Sequence, residues 1–391
     1  MVQKSQKKIN LAFLINFNHE KWFGGINIIL NLIEAILASK ENRELVKIIL
    51  VVDNKKKLKK LKINNRVKIL EDSKIFKFNI ILKFVEKISL LFRGKTFFLE
   101  NFLLKNQINF ISHSNIASGI NSFTKSIVWI PDFQYLHYPK YFSRRYRIFK
   151  RINLNIYSKH SHKILLSSND ALNDLNNIKK VKPDKLIVHP FTFNVLDPNK
   201  LPKFSELRKK YFLPNKFFFL PNQYWVHKNH ILVIKALKKL VKKNKNIIIV
   251  STGQQHDYRN PNHFDKLMNL IKVYNLEKNY IYLGLIPYKE VLALIYNSVA
   301  VINPSLFEGW SSTVEQAKSY GKKIILSNIN VHVEQNPLNG YFFNPHNYKS
   351  LSDIMLKVFN KNKADTFNNK FKLKMKRKFE NYGKEFIKKI F

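Results

Sequence analysis

Cysteine is absent from the 391 residues, which excludes a disulfide framework and a thiolate metal site and fits a reducing cytoplasm. Acidic residues are scarce: 26 Asp and Glu stand against 69 Lys and Arg, a formal net charge of +43. Long apolar runs are missing as well. Nowhere do about 18 uncharged apolar residues follow one another, the length a membrane-spanning helix needs, so the sequence predicts a chain that does not span a membrane. The basic stretch Met1–Lys8 precedes an apolar run, Ile9–Phe17, with no small-residue cleavage site after it. It reads as a first strand and not as a signal peptide. Zinc-finger spacing, an RNP-type aromatic motif and an Arg-rich recognition stretch are also absent, so no specific nucleic-acid partner is expected.

What is present starts with the charge. Lysine, asparagine, isoleucine and phenylalanine all draw on A/T-rich codons, so the excess of lysine supports attraction to anionic surfaces and not a function by itself. Hydrophobic residues make up 45% of the chain, enough for two ordinary cores.

Strand-like and helix-like segments alternate. Ile9–Phe17, Val46–Val52, Asn109–Ser112, Ser126–Ile130 and Lys163–Ser167 read as buried strands, and Ile26–Leu37 has helical spacing. A polar, proline-bearing stretch, residues 196–202, interrupts the rhythm and reads as a linker. Strands resume at Phe217–Leu220, Asn246–Ser251, Tyr280–Leu283, Ala300–Asn303 and Lys323–Leu326, with helices at His230–Lys242, Lys289–Asn297 and Thr313–Tyr320. The βαβ rhythm predicts an α/β fold of two doubly wound parallel sheets. The expected organisation is one α/β domain over residues 1–195, a second over 196–375, and a basic helix over 376–391 that packs back toward the first.

The segment Asn303–Ala317 carries the strongest chemistry. A strand ends, a turn of small residues follows, and a helix starts near Ser312. Backbone N–H groups at such a start form an anion site suited to a diphosphate. Glu315, one turn into the helix, suits a pair of ribose hydroxyls, and Glu308 before the turn suits a sugar. Ser312-x-x-Glu315 also fits a capping box, in which both side chains satisfy backbone donors. A second segment, Leu220–His230, places Asn222, Gln223 and Lys228 ahead of a helix. His227 and His230 there have no third ligand at metal spacing. In the N-terminal half, Gly24 and Gly25 open a helix and let backbone approach a ligand closely. Trp129–Pro139 follows a strand and holds Asp132 and His137.

The Glu308-Gly309-Trp310-Ser311 to Glu315 segment resembles the paired-glutamate motif of the retaining glycosyltransferase family 4, typified by sucrose synthase and bacterial mannosyltransferases. The usual interval between the two glutamates is eight; here it is seven, and Ser311 stands where a second glycine is usual. The Leu220–His230 segment is similar to the family's Arg and Lys, five apart, which bind the donor diphosphate; Lys228 fits the lysine, and Gln223 falls at the arginine. The family keeps a glycine-rich loop near Gly24 and Gly25, facing donor phosphates, and a His-Asp pair where this chain has Pro131-Asp132. The resemblance implies a GT-B fold of two Rossmann-like domains across a cleft.

It further implies a retaining hexosyltransferase that uses a UDP- or GDP-sugar and acts on a glycan or polyprenyl-linked glycan in surface polysaccharide assembly. Lys228, Ser311, Ser312, Thr313, Asn222 and Gln223 would hold the donor diphosphate, Glu315 the ribose and Glu308 the sugar, with Asp132 and His137 at the acceptor. No cofactor and no metal are expected, since no Asp-x-Asp occurs. Two alternatives stay open: another GT-B enzyme, a phosphorylase or sugar-phosphate synthase, and a charge-driven nucleic-acid binder. Lys74–Lys95 fits either an amphipathic helix packed on the core or one lying in a membrane interface, drawn to anionic lipid. The Arg144, Arg145, Arg147, Lys150, Arg151 cluster fits either a solvated helix face or a site that meets a lipid-linked pyrophosphate acceptor. Peripheral contact with the anionic inner face of the plasma membrane is the expectation that goes with them.

Overall fold

The computed structural model describes residues 8–15, 23–61, 63–77, 80–361 and 367–391. The chain divides into two compact units, one formed by Met1–Phe191 with Lys378–Phe391 and the other by Thr192–Arg377.

In the first unit, seven parallel strands are described: β1 Ile9–Ile15, β2 Val46–Val52, β3 Lys68–Glu71, β4 Phe110–Ser114, β5 Lys125–Ile130, β6 Lys163–Leu166 and β7 Leu186–Val188. They lie in the order β3-β2-β1-β4-β5-β6-β7. Pairing runs in register from Ile9 opposite Val46 to Ile15 opposite Val52, so β1 is central and buried. The last residues of the apolar run read as a first strand, 16 and 17, lie outside the described residues. β3 and β7 escaped the sequence reading because each is short and at an edge, where little apolar surface is demanded.

The second unit repeats the plan with β8 Phe218–Leu220, β9 Ile249–Ser251, β10 Tyr280–Tyr282, β11 Ala300–Asn303, β12 Ile324–Ser327 and β13 Gly340–Phe343, ordered β10-β9-β8-β11-β12-β13. Alternation along β8 shows why it is central. Phe218 and Leu220 enter the core shared with the His230–Val241 helix, while Phe217 and Phe219 enter the opposite core. Both faces of the strand are covered, as a parallel sheet requires.

In both units the strand order reverses beside the first strand: between β1 and β4, and between β8 and β11. Loops leaving the carboxyl ends of the two strands at such a switch point diverge and leave a crevice, where ligands of open α/β sheets bind. Both strongest sequence motifs leave these ends in the second unit. Leu220–His230 follows β8, and Pro304–Ala317 follows β11.

The last helix, Asn369–Ile390, ends on the first unit. A Cβ on Gly383 would stand 2.2 Å from the Ala35 carbonyl oxygen, so glycine alone lets this helix meet the Phe23–Ala38 helix backbone to backbone. His189 stacks on Tyr382 at 4.6 Å and meets Phe386. Burial lowers the His189 pKa to about 3, which keeps the ring neutral in this apolar contact.

Candidate active site

Asn303, the last residue of β11, is fully buried and organises the turn that follows. Its Nδ2 donates to Ser311 Oγ at 2.7 Å. Its Oδ1 accepts from Asn222 Nδ2 at 3.3 Å and lies 2.8 Å from the Ser305 hydroxyl. Asn222 Oδ1 accepts in turn from the Thr313 hydroxyl at 3.2 Å. The loops after β8 and β11 are thereby joined by amide side chains whose donors and acceptors are spent on one another, as burial demands.

Lys228 and Glu308 form the charged centre. Lys228 Nζ donates to Glu308 Oε1 at 2.6 Å, and the Ser305 hydroxyl lies 2.6 Å from the same oxygen. Both side chains are largely buried. Burial alone would raise the Glu308 carboxyl; the Lys228 ammonium and the hydrogen bonds from Lys228 and Ser305 outweigh it and hold the carboxyl below its ordinary range. Lys228 closes a tight turn, Val226–Lys228, and Asn229 follows at φ 56°. Asn229 Nδ2 then ties that turn to the Pro304 and Pro345 carbonyls at 3.2 and 2.9 Å. Asparagine tolerates the left-handed conformation, and its short amide makes the bonds.

The helix Ser312–Ser319 is capped by Ser311, whose Oγ accepts from the Val314 amide at 3.4 Å. The residue three places past the cap is therefore Val314, and the box expected of Ser312 and Glu315 does not form. Glu315 does something else. Its carboxylate is 1% exposed; Oε1 accepts from Lys318 Nζ at 2.7 Å and from Gln335 Nε2 at 3.1 Å. The amides of Ser312 and Thr313 head the helix and have no partner within it. Gln223 spends its side chain on the neighbouring loop, accepting from the Gln254 amide at 2.7 Å.

In the first unit, Asp132 Oδ1 accepts from the Gln134 amide at 2.9 Å and so starts the short Gln134–His137 helix. His137 is exposed, and its Nε2 lies 2.8 Å from Asp174 Oδ2. The hydrogen bond with Asp174 raises its pKa against a modest opposing effect of burial. Gly24 and Gly25 lie in the first turn of the Phe23–Ala38 helix, and a side chain at Gly24 would meet nothing within 4 Å.

Residues 202–386 match the model of the family described as glycosyl transferases group 1. This segment is a group 1 glycosyl transferase domain. No curated protein matches the chain. Solved structures similar to it include a glycosyltransferase from Rickettsia africae ESF-5, 16% identical with a TM-score of 0.63, covering 97% of this chain and 94% of that one. Anabaena Alr3699/HepE in complex with UDP is 13% identical with a TM-score of 0.67, covering 98% and 99%. Sucrose-phosphate synthase from Thermosynechococcus elongatus is 11% identical with a TM-score of 0.63, covering 97% and 94%. At such identities the likeness shows the fold, which is GT-B, built of two Rossmann-like units.

The transferase domain also holds site residues that no sequence motif announced. Gln335, from the Asn330–Gln335 helix, accepts from the Ser311 amide at 3.3 Å and donates to the Ser311 carbonyl at 3.0 Å and to Glu315. It thus fixes both the helix cap and the second glutamate. Gly253, after β9, has φ +152°, and a Cβ there would stand 2.2 Å from the Asn222 carbonyl oxygen. Asp257 accepts from the Val226 amide at 3.3 Å and pairs with Arg259 at 2.9 Å. The Arg259 guanidinium lies 5.2 Å over the Trp225 ring. His227 and His230 are buried; burial, before neighbouring charge, lowers the pKa of His227 well below its ordinary value and that of His230 to about 3. The His230 ring stacks on Tyr224 at 4.2 Å. Both histidines are neutral core groups here.

Proposed function

We propose that this chain transfers a hexose from a UDP- or GDP-sugar, with retention at the anomeric carbon, to a glycan or polyprenyl-linked glycan acceptor in surface polysaccharide assembly. The observation that carries the reading is the network after β8 and β11. It sets a lysine, two glutamates and a helix start together at the switch point of a parallel sheet, where a nucleotide is expected to bind. The solved Anabaena relative was obtained in complex with UDP, which supports a nucleoside diphosphate as the bound group.

The roles follow from chemistry. Lys228 meets the charge that develops on the departing diphosphate, and the Ser312 and Thr313 amides add the partial positive charge of the helix start. Asn222, Gln223 and Ser311 shape the walls. Glu315, with one oxygen anchored by Lys318 and Gln335, is oriented to accept from ribose hydroxyls. Glu308, held ionised by Lys228, orients the donor sugar. The Gly24–Gly25 pair offers backbone to phosphate, and Asp132 with His137 addresses the acceptor. Charge on the diphosphate is met by these groups, so no metal and no cofactor enter the scheme. We place the protein in the cytoplasm, in peripheral contact with the anionic inner face of the plasma membrane.

The test is transfer from a series of UDP- and GDP-α-hexoses to an oligosaccharide acceptor, with the product linkage read by NMR. An α-linked product is expected. A β-linked product would refute retention, and a strict requirement for inorganic phosphate or a sugar phosphate would point to a phosphorylase or synthase instead.

A further inference from the structure

The helix Ile80–Arg93 is inside out. Ile81, Phe84, Val85, Ile88, Leu91 and Phe92 recur at three- and four-residue spacing, the pattern that normally faces a core, yet they face water. Ile81 is 71% exposed, Phe84 63%, Leu91 64% and Phe92 85%. The face turned inward carries Glu86 and Ser89, both buried, beside Leu90. Glu86 accepts the amides of Phe97, Phe98 and Leu99 at 2.7, 2.8 and 2.9 Å, capping the next helix, Phe98–Lys105. Ser89 donates to the Lys95 carbonyl at 2.8 Å. These inward bonds fix the helix with its phenylalanines outward. Residues 78 and 79, at the start of the same stretch, lie outside the described residues.

A second helix, Arg144–His160, comes up to this surface at Phe149. Lys87 Nζ lies 5.7 Å over the Phe149 ring, and Ile148, Phe149 and Ile152 are exposed on it. Arg144, Arg145 and Arg151 are exposed on the same helix, which contains no acid. The one acid of the Ile80–Arg93 helix, Glu86, is buried. An exposed apolar area with cations and no anion is thus assembled from two segments more than fifty residues apart.

We infer that the paired faces of the Ile80–Arg93 and Arg144–His160 helices are a membrane-docking surface, whose apolar side chains enter the acyl boundary while the arginines and Lys87 meet anionic headgroups. This rests on the membrane contact proposed above and names the residues that make it. Charge complementarity selects the occupant. A second copy of the chain would bring two arginine-rich faces of one sign together. A nucleic acid, whose bases can stack on phenylalanine, would leave the exposed aliphatic Ile81, Ile88 and Leu91 without an apolar phase to enter. Binding of this kind scales with apolar area buried plus attraction to anionic lipid.

The test uses the full chain, co-sedimented with sucrose-loaded vesicles of phosphatidylcholine with or without phosphatidylglycerol. The parent should bind the anionic vesicles, release them as salt rises, and ignore the neutral ones. Phe84→Ser with Phe92→Ser, and separately Arg144→Gln with Arg145→Gln, should each lower partitioning by about tenfold or more. All four side chains are exposed, so melting temperatures should stay close to the parent's, and transfer to a soluble acceptor should be unchanged. Unaltered vesicle binding by the phenylalanine pair would overturn insertion, and absence of parental binding would overturn docking altogether. Concentration-dependent self-association abolished by the phenylalanine substitutions, without vesicle binding, would assign the surface to a second copy instead. Loss of transfer with vesicle binding intact would count against glycosyl transfer and leave the docking surface standing.

Discussion

Glu315 and Glu308 are both buried carboxylates, but different partners hold them, and the two should fail differently. Glu315 sits past the first turn of its helix and shares one oxygen between Lys318 and Gln335. Glu315→Gln keeps the shape and removes the charge. If the carboxylate accepts from ribose, nucleoside diphosphate affinity should fall by about tenfold or more, measured by calorimetric titration. Glu308→Gln should leave that affinity in place and lower turnover, because its proposed partner is the sugar. Equal affinity in Glu315→Gln and the parent would remove the ribose assignment. At His137 the same reasoning gives a pH dependence. Its folded pKa lies above its unfolded value through Asp174. Its contribution to stability is therefore complete below the unfolded value near 6.5 and disappears as pH rises through the folded one. Urea midpoints of the parent should fall across that window relative to Asp174→Asn, which has nothing to lose there. Parallel curves would show the pair to be idle.

Among elements, the helix Ser312–Ser319 shows where the sequence was readable and where it was not. A strand, a small-residue turn and a helix start were legible from composition and spacing alone. The cap was not: Ser311 and Ser312 are equally good candidates on propensity, and the bonds from buried Asn303 and Gln335 decide for Ser311. Gln335 and Gly253 were invisible for a related reason. They reach the site through tertiary packing, and nothing local in their own segments points to Asn222 or Glu315. Edge strands β3, β7 and β13 carry apolar runs of only two or three residues, shorter than the runs that mark the central strands. For the Ile80–Arg93 helix the apolar stripe fits a core face and an exposed face equally well in sequence, and only the structure shows it exposed. The terminal helix gives a prediction of its own. Gly383→Val would drive a side chain into the Ala35 backbone, where no rotamer relieves the clash. The cost should be at least about 1–3 kcal/mol, seen as a lower melting temperature of the first unit. An unchanged melting curve would mean that the helix does not seat there.

At the scale of the whole molecule, an α/β chain of two parallel sheets and a basic surface were legible, because periodicity and charge are properties of long stretches; the switch points were not, because strand order is set by tertiary pairing. The direction of each cationic group was not, since 69 Lys and Arg residues are too many for position in sequence to single one out. Lys228 stood out only by its place in a motif, and the structure adds that it is largely buried and bonded to Glu308. If Lys228 and the helix start meet the leaving charge, transfer should persist in excess EDTA. Complete loss of activity on chelation, restored by manganese, would refute that assignment. The claim on which the rest depends is that the second unit binds a nucleoside diphosphate sugar. Thermal melting of the full chain against UDP, GDP and their sugars tests it most directly, because a ligand confined to the folded state stabilises it by about 2.7 kcal/mol at a hundredfold excess over Kd. One nucleotide series should raise the melting temperature, and Glu315→Gln should weaken the response. No response to any nucleotide, together with salt-sensitive retention on DNA irrespective of sequence, would contradict it.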